Sequence, residues 1–155
     1  MSGKLAREIR QTQPFRSLEG EAILNIQRTA SLLEQAVVEA LKPSGLSPTQ
    51  YNVLRILRGA GGAGLACQEI AERMVARDPD ITRLLDRLEG RSLVGRARSG
   101  EDRRVVRVRL TVEGEALVGG IDPMIDTVPR KLLGHLGERR LRTLIDLLEL
   151  ARSMA

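Results

Sequence analysis

The 155-residue chain is 42% hydrophobic, enough to build a core, and 29% charged, which excludes a membrane protein and a low-hydrophobicity disordered segment. One phenylalanine, one tyrosine and no tryptophan leave little of the stacking surface that holds single-stranded nucleic acid or RNA bases. A single cysteine, Cys67, excludes an intramolecular disulfide and fits a reducing cytoplasm, and no apolar run approaches the roughly 20 residues that span a bilayer.

The amino-terminal stretch MSGKLAREIRQTQPF has no apolar h-region, so residues 1–17 read as an arm of uncertain order, broken at Pro14, and secretion is not expected. Over residues 18–42, Ile23, Ile26, Ala30, Leu33, Val37 and Leu41 recur at steps of three and four. This is the period of one long amphipathic helix, stopped by Pro43 and Gly45. Ser47-Pro48-Thr49-Gln50 opens a second helix: Ser47 caps free N–H groups, Pro48 suits the first helical position, and Gln50 reaches back as a capping-box partner. Its apolar stripe is Tyr51, Leu54 and Leu57, with Val53 beside it, and Gly59 to Gly64 read as a connector. A short third helix is expected from about Ala66 to Met74, with Ile70 and Met74 inward. Asp78-Pro79 places a capping residue before a proline and opens a fourth helix, with Ile81, Leu84, Leu85 and Leu88 at i, i+3, i+4 and i+7.

Beyond Gly90 the period changes to two. Val94 to Arg98 and Val105 to Leu110 alternate around Ser99-Gly100-Glu101-Asp102, the composition of a hairpin tip. Val106, Val108 and Leu110 are expected to face inward, and Arg107 and Arg109 outward. Thr111 caps a fifth helix from Val112, which Gly119, Gly120 and Pro123 are expected to kink or break. Glu138 to Met154 reads as a last helix, with Leu141, Leu144, Ile145, Leu148 and Ala151 on one stripe.

The net charge of +5 is concentrated in one place. From Arg83 to Arg109 stand nine arginines against Asp86, Glu89, Glu101 and Asp102, while the remaining basic and acidic residues balance, as in a phosphate-binding footprint. The middle of the chain thus reads helix, helix, helix, hairpin. In a helix-turn-helix, the second helix of the motif offers one face to the core and the other to a major groove. With the fourth helix's leucines inward, Thr82, Arg83 and Asp86 point outward and Arg87 lies on the flank. Arginine pairs bidentately with guanine O6 and N7 or clamps phosphate, and Thr82 suits a base edge, a thymine methyl or a phosphate. At the hairpin tip, Glu101-Asp102-Arg103-Arg104 puts an acid two residues before an arginine. On extended backbone those positions face the same way, so Asp102 can orient Arg104 by a charge-assisted hydrogen bond and present it to a narrow minor groove. The bland readings are a solvated helix face and a turn acid that neutralises nearby arginines; helix and hairpin standing together weigh against both.

The runs in this region resemble the multiple-antibiotic-resistance regulator (MarR) family. Leu46-Ser-Pro-Thr-Gln-Tyr-Asn-Val-Leu-Arg-Ile-Leu57 resembles the start of its DNA-binding domain. Asp80-Ile-Thr-Arg-Leu-Leu-Asp-Arg-Leu-Glu89, Leu93-Val94, Asp102-Arg-Arg104 and Leu110-Thr-Val-Glu-Gly114 follow in the family's order, as far as Leu117. The resemblance implies a mainly α fold with a small β-hairpin wing: a winged helix-turn-helix over 46–117, with N- and C-terminal dimerisation helices over 18–42 and 121–155. The recognition helix would run from Pro79 and Asp80, with Thr82, Arg83 and Arg87 reading DNA and Arg98, Asp102, Arg103 and Arg104 in the wing. A homodimer of this kind reads a pseudo-palindromic operator with half-sites about one helical turn apart. Ala66 departs from the pattern, standing where many relatives carry a Ser or Thr cap.

Other signals are weaker. Gly59, Gly61 and Gly64 satisfy G-x-G-x-x-G, but a capped helix precedes them where a dinucleotide fold needs a strand, so they read as a loop. Cys67 reads as a small apolar residue, with thiol-based redox sensing at a helix start as the alternative. His135, the one histidine, has no Cys/His partners for a structural zinc site, and no acid–base or nucleophile cluster supports an enzyme. The expectation is a cytoplasmic, non-enzymatic regulator of transcription that binds duplex DNA as a homodimer. It is read as a ligand-responsive repressor with an unknown small-molecule effector, and with no cofactor, metal or membrane. The competing reading is a winged-helix protein-interaction module that binds no DNA.

Overall fold

The computed structural model of the chain describes residues 3–98 and 104–153, in two compact units, Met1–Ala36 and Val37–Ala155. In the first, part of the expected arm is helical: Lys4–Glu8 form α1, with Leu5 and Ala6 buried. Five residues are too few for an apolar period to show, and its ion pairs lie both within and outside it. Glu8 pairs with Lys4 at 3.6 Å and with Arg28 of α2 (Leu18–Leu41) at 3.9 Å. α2 starts where Ser17 Oγ accepts the Gly20 N–H at 3.0 Å, and Glu19 and Glu21 sit at its positive end. The apolar stripe changes along the helix: Ile23 and Ile26 are exposed, Leu33 and Val37 half-buried, and Leu41 fully buried.

The second unit is built around α3 (Pro48–Ala60), entered through a 3-10 turn at 42–44 and Gly45 in the left-handed region at φ 64°. The capping box is present in both directions: Ser47 Oγ accepts the Gln50 N–H at 3.1 Å, and Gln50 Oε1 accepts the Ser47 N–H at 3.0 Å. Then come β1 (Leu65–Ala66), α4 (Cys67–Arg73), α5 (Ile81–Gly90), β2 (Val94–Arg98) and β3 (Val106–Leu110). The strands form an antiparallel sheet in the order β1-β3-β2. Two residues carry no alternation, so β1 is defined only by pairing, Leu65 with Val108 and Ala66 with Arg107. Leu54, Leu57, Ile70, Leu85, Leu88, Val108 and Val118 belong to one core, in which α3, α4, α5, the sheet and α6 (Val112–Ile125) share an apolar centre. α7 (Thr127–Leu133) and α8 (Gly137–Arg152) complete a mainly helical chain with a small sheet, a winged helix.

The structure corrects three local expectations. The helix expected to open at Asp78-Pro79 does not start there; α5 begins at Ile81 and Asp80 is its cap. Asp78 Oδ1 instead accepts the Asp80 N–H at 2.8 Å, a side-chain turn that keeps Pro79 outside the helix. Val106 is 44% exposed rather than inward, because it pairs with Arg98 at the far end of the hairpin, away from the core that buries Val108. α6 runs unbroken through Gly119, Gly120 and Pro123, and the break falls at Asp126. The ring of a mid-helix proline crowds the carbonyl four residues back, here that of Gly119, and the helix runs on across it.

Candidate nucleic-acid interface

The turn between α4 and α5 is held by side chains on both sides. Asn52 Oδ1, on α3, accepts the Val75 N–H at 3.1 Å, and Asp80 Oδ1 accepts the Arg83 N–H at 3.1 Å as the α5 cap. α4 lacks a cap acceptor at Ala66, as expected, yet half a capping box survives, with Glu69 Oε2 accepting the Ala66 N–H at 2.8 Å. Cys67 is the first residue of α4, half-buried and packed against the core. Because Leu84, Leu85 and Leu88 are buried, helical period alone turns Thr82, Arg83, Asp86 and Arg87 to solvent. Arg83 Nε lies 3.3 Å from Asp80 Oδ2. Arg87 has no ion pair among the described residues.

The arginine-rich window divides into two groups. Arg96 of β2 spans to α5, with Nη1 at 2.7 Å from Asp86 and 2.6 Å from Glu89, and Nη2 donating to the Thr82 carbonyl at 3.4 Å. Burial works against its charge, but the Asp86 and Glu89 carboxylates outweigh that and raise its pKa above the ordinary arginine value. Arg107 Nη1 reaches the Gly64 carbonyl at 3.2 Å and Glu69 at 3.4 Å, tying β3 to α4. Arg91 donates to the carbonyls of Gly45 and Ser44, each at 2.9 Å. Those three brace the fold, Arg91 from an exposed position, and Arg83, Arg87, Arg98, Arg104 and Arg109 are exposed as well. Thr82, Arg83 and Arg87 therefore share one exposed helix face, and Pro79 and Asp80 lie exposed just ahead of it. Arg98 ends β2, and Arg104 is the next described residue along the chain. Asp102 and Arg103, and with them the expected Asp102–Arg104 contact, lie outside the described residues.

A second constellation was not legible in the sequence. Asp122 of α6 accepts hydrogen bonds from the Tyr51 hydroxyl and from Arg58 Nη2, both on α3. Burial, reinforced by the bond to Asp122, pushes the Tyr51 pKa up. The residues are 64 and 71 positions apart in the chain, so no local spacing announces them.

With this geometry in place, comparison with known proteins is decisive. Residues 46–106 match the MarR family. Over 113 residues the chain is 33% identical to the HTH-type transcriptional regulator FarR of Neisseria gonorrhoeae, covering 72% of this chain and 76% of that one. The chain belongs to the MarR family. It is also 35% identical over 92 residues to the HTH-type transcriptional repressor MdtR of Bacillus subtilis (strain 168), covering 59% of this chain and 58% of that repressor's length. Among solved structures, a MarR transcription factor from Planctomyces limnophilus is 42% identical, with a TM-score of 0.66 over 88% of this chain and 99% of that one. CouR from Rhodococcus jostii RHA1, bound to p-coumaroyl-CoA, is 26% identical, with a TM-score of 0.74 over 87% and 94%. The S. aureus MepR–DNA complex shares the fold at 23% identity, with a TM-score of 0.76 over 84% and 95%. The named MarR-family relatives are regulators of transcription rather than enzymes. No helix among the described residues of this chain is long and apolar enough to cross a membrane.

Proposed function

We propose that this MarR-family protein regulates transcription by binding a specific duplex operator as a cytoplasmic homodimer, and that it is a ligand-responsive repressor. The observation that carries the reading is the exposed face of α5. Thr82, Arg83 and Arg87 stand there together, beside a hairpin whose strands bring Arg98 and Arg104 to one end. A helix of this shape enters a major groove, and arginines at a neighbouring hairpin suit phosphate or a narrow minor groove. In this reading Pro79 and Asp80 begin the reading segment, and Asp102 and Arg103 complete the wing. Residues 46–117 form the DNA-binding part, and 18–42 with 121–155 pair two copies.

Support for pairing comes from α8, where Leu147 and Leu150, at i and i+3 on one face, are exposed in the single chain and a second copy would cover them. The fold is one on which MepR has been seen with DNA, and MdtR, a relative over part of its length, is named a repressor. CouR, with its bound acyl-CoA, supports a small-molecule effector, which acts by binding one separation of the two reading helices better than another.

The test is selection of bound sequences from random duplex DNA, followed by affinity measurements across salt concentrations. The expected result is a two-fold symmetric consensus with half-sites about 10 base pairs apart, and binding that falls steeply with ionic strength. A monomer, or attachment to no duplex in a salt-sensitive way, would overturn the reading and favour a protein-interaction module.

A further inference from the structure

We propose that Asp80 is a positioning residue for base reading, its carboxylate holding Arg83 so that the outer guanidinium edge meets one guanine in each half-site. This rests on the DNA-binding function above. The two oxygens of the Asp80 carboxylate grip the same residue twice. Oδ1 accepts the Arg83 backbone N–H at 3.1 Å, and Oδ2 lies 3.3 Å from Arg83 Nε. The first contact fixes the carboxylate to the helix backbone; the second occupies the inner edge of the guanidinium. The Nη groups, which form the outer edge, have no ion pair among the described residues, and the Arg83 side chain is 71% exposed.

The neighbouring acids do not compete for Arg83. Asp78 accepts the Asp80 N–H at 2.8 Å, and Asp86 lies 2.7 Å from Arg96. In water an exposed pair of this kind adds little to stability. Its effect is on orientation, since an arginine held by one edge keeps a flat pair of parallel donors, the pattern that guanine O6 and N7 accept. Lysine, a single rotating charge, cannot reproduce it.

The experiment compares wild type, Asp80→Ser and Arg83→Lys in the same random-duplex selection, with melting curves and salt titrations. Serine caps a helix about as well as aspartate, so Asp80→Ser removes the charge and keeps the cap. For wild type the expected consensus holds one guanine per half-site whose replacement weakens binding by about tenfold. Asp80→Ser and Arg83→Lys are expected to melt with wild type and to keep its salt slope, while preference at that one guanine collapses. Retention of the preference by Asp80→Ser would refute the proposal, as would a wild-type consensus in which no guanine responds to Arg83→Lys. An equal loss at every position with a lowered melting temperature would reduce Asp80 to a helix cap. Absence of salt-sensitive binding by wild type is a different failure, that of the DNA-binding function itself.

Discussion

Single residues in this protein are used in two ways that composition does not separate. Arg96 and Arg98 stand two apart on β2 and so share a face, yet Arg96 is bound to Asp86 and Glu89 while Arg98 is exposed at the strand end. Thr82, Arg83 and Arg87 were legible because a 3.6-residue period fixes their face without reference to the rest of the fold. The bracing arginines were not, because their role depends on which carboxylate the fold brings near. Tyr51 is of the same kind, its hydroxyl donating to Asp122 across the α3–α6 junction. Tyr51→Phe should cost about 1.5–3 kcal/mol at neutral pH, the range for a hydrogen bond to a charged group. The raised Tyr51 pKa sets the pH dependence. Above a pH of about 10 the unfolded phenol loses its proton while the folded one keeps it, so the native state loses stability as pH rises. Denaturant melts at pH 7 and 11 should therefore show a steeper alkaline loss for wild type than for Tyr51→Phe; equal losses would mean that the Tyr51 hydroxyl is not buried against α6 in solution.

Among the elements, the hairpin and α6 are joined closely at Ser92, Leu93, Thr111 and Gly114. The Leu93 carbonyl accepts the Thr111 N–H at 3.2 Å, Thr111 Oγ1 donates to the Ser92 carbonyl at 2.6 Å, and the same oxygen accepts the Gly114 N–H at 3.0 Å. A Cβ on Gly114 would fall onto the Leu93 carbonyl oxygen, part of the backbone that carries β2. Elsewhere in a helix, alanine in place of glycine gains up to about 1 kcal/mol. Here Gly114→Ala should instead destabilise by about 1–3 kcal/mol, the range for overpacking, and thermal melts will decide the sign. Helices with their own caps and periods, α3 and the body of α5, stood out from the sequence. α1 and β1 are too short to have a period, and the true start of α5 depended on which of two aspartates reached which N–H.

For the molecule as a whole, the apolar surface left uncovered on α8 is what the single chain cannot satisfy. Leu147 is 59% and Leu150 67% exposed, one turn apart on one face of a helix with no buried residue. If a second copy covers this face, Leu147→Glu should shift the protein from dimer to monomer with its helical content intact. Sedimentation velocity with circular dichroism measures both, and an unchanged dimer would place the pairing surface elsewhere. On the proposed function, DNA affinity should fall with the dimer, because each copy would supply one reading helix.

What the sequence determined by itself was the order of the longer elements, the caps that start α3 and α6, and the faces that α3 and α5 turn inward. These follow from contacts between residues a few positions apart, where spacing is geometry. Only the tertiary structure decided which arginines brace the fold and which stand in solvent, where Val106 points, and that Asp122 joins Tyr51 and Arg58. Those outcomes depend on groups far apart in the chain meeting across a packed core, and a linear pattern contains no distance of that kind.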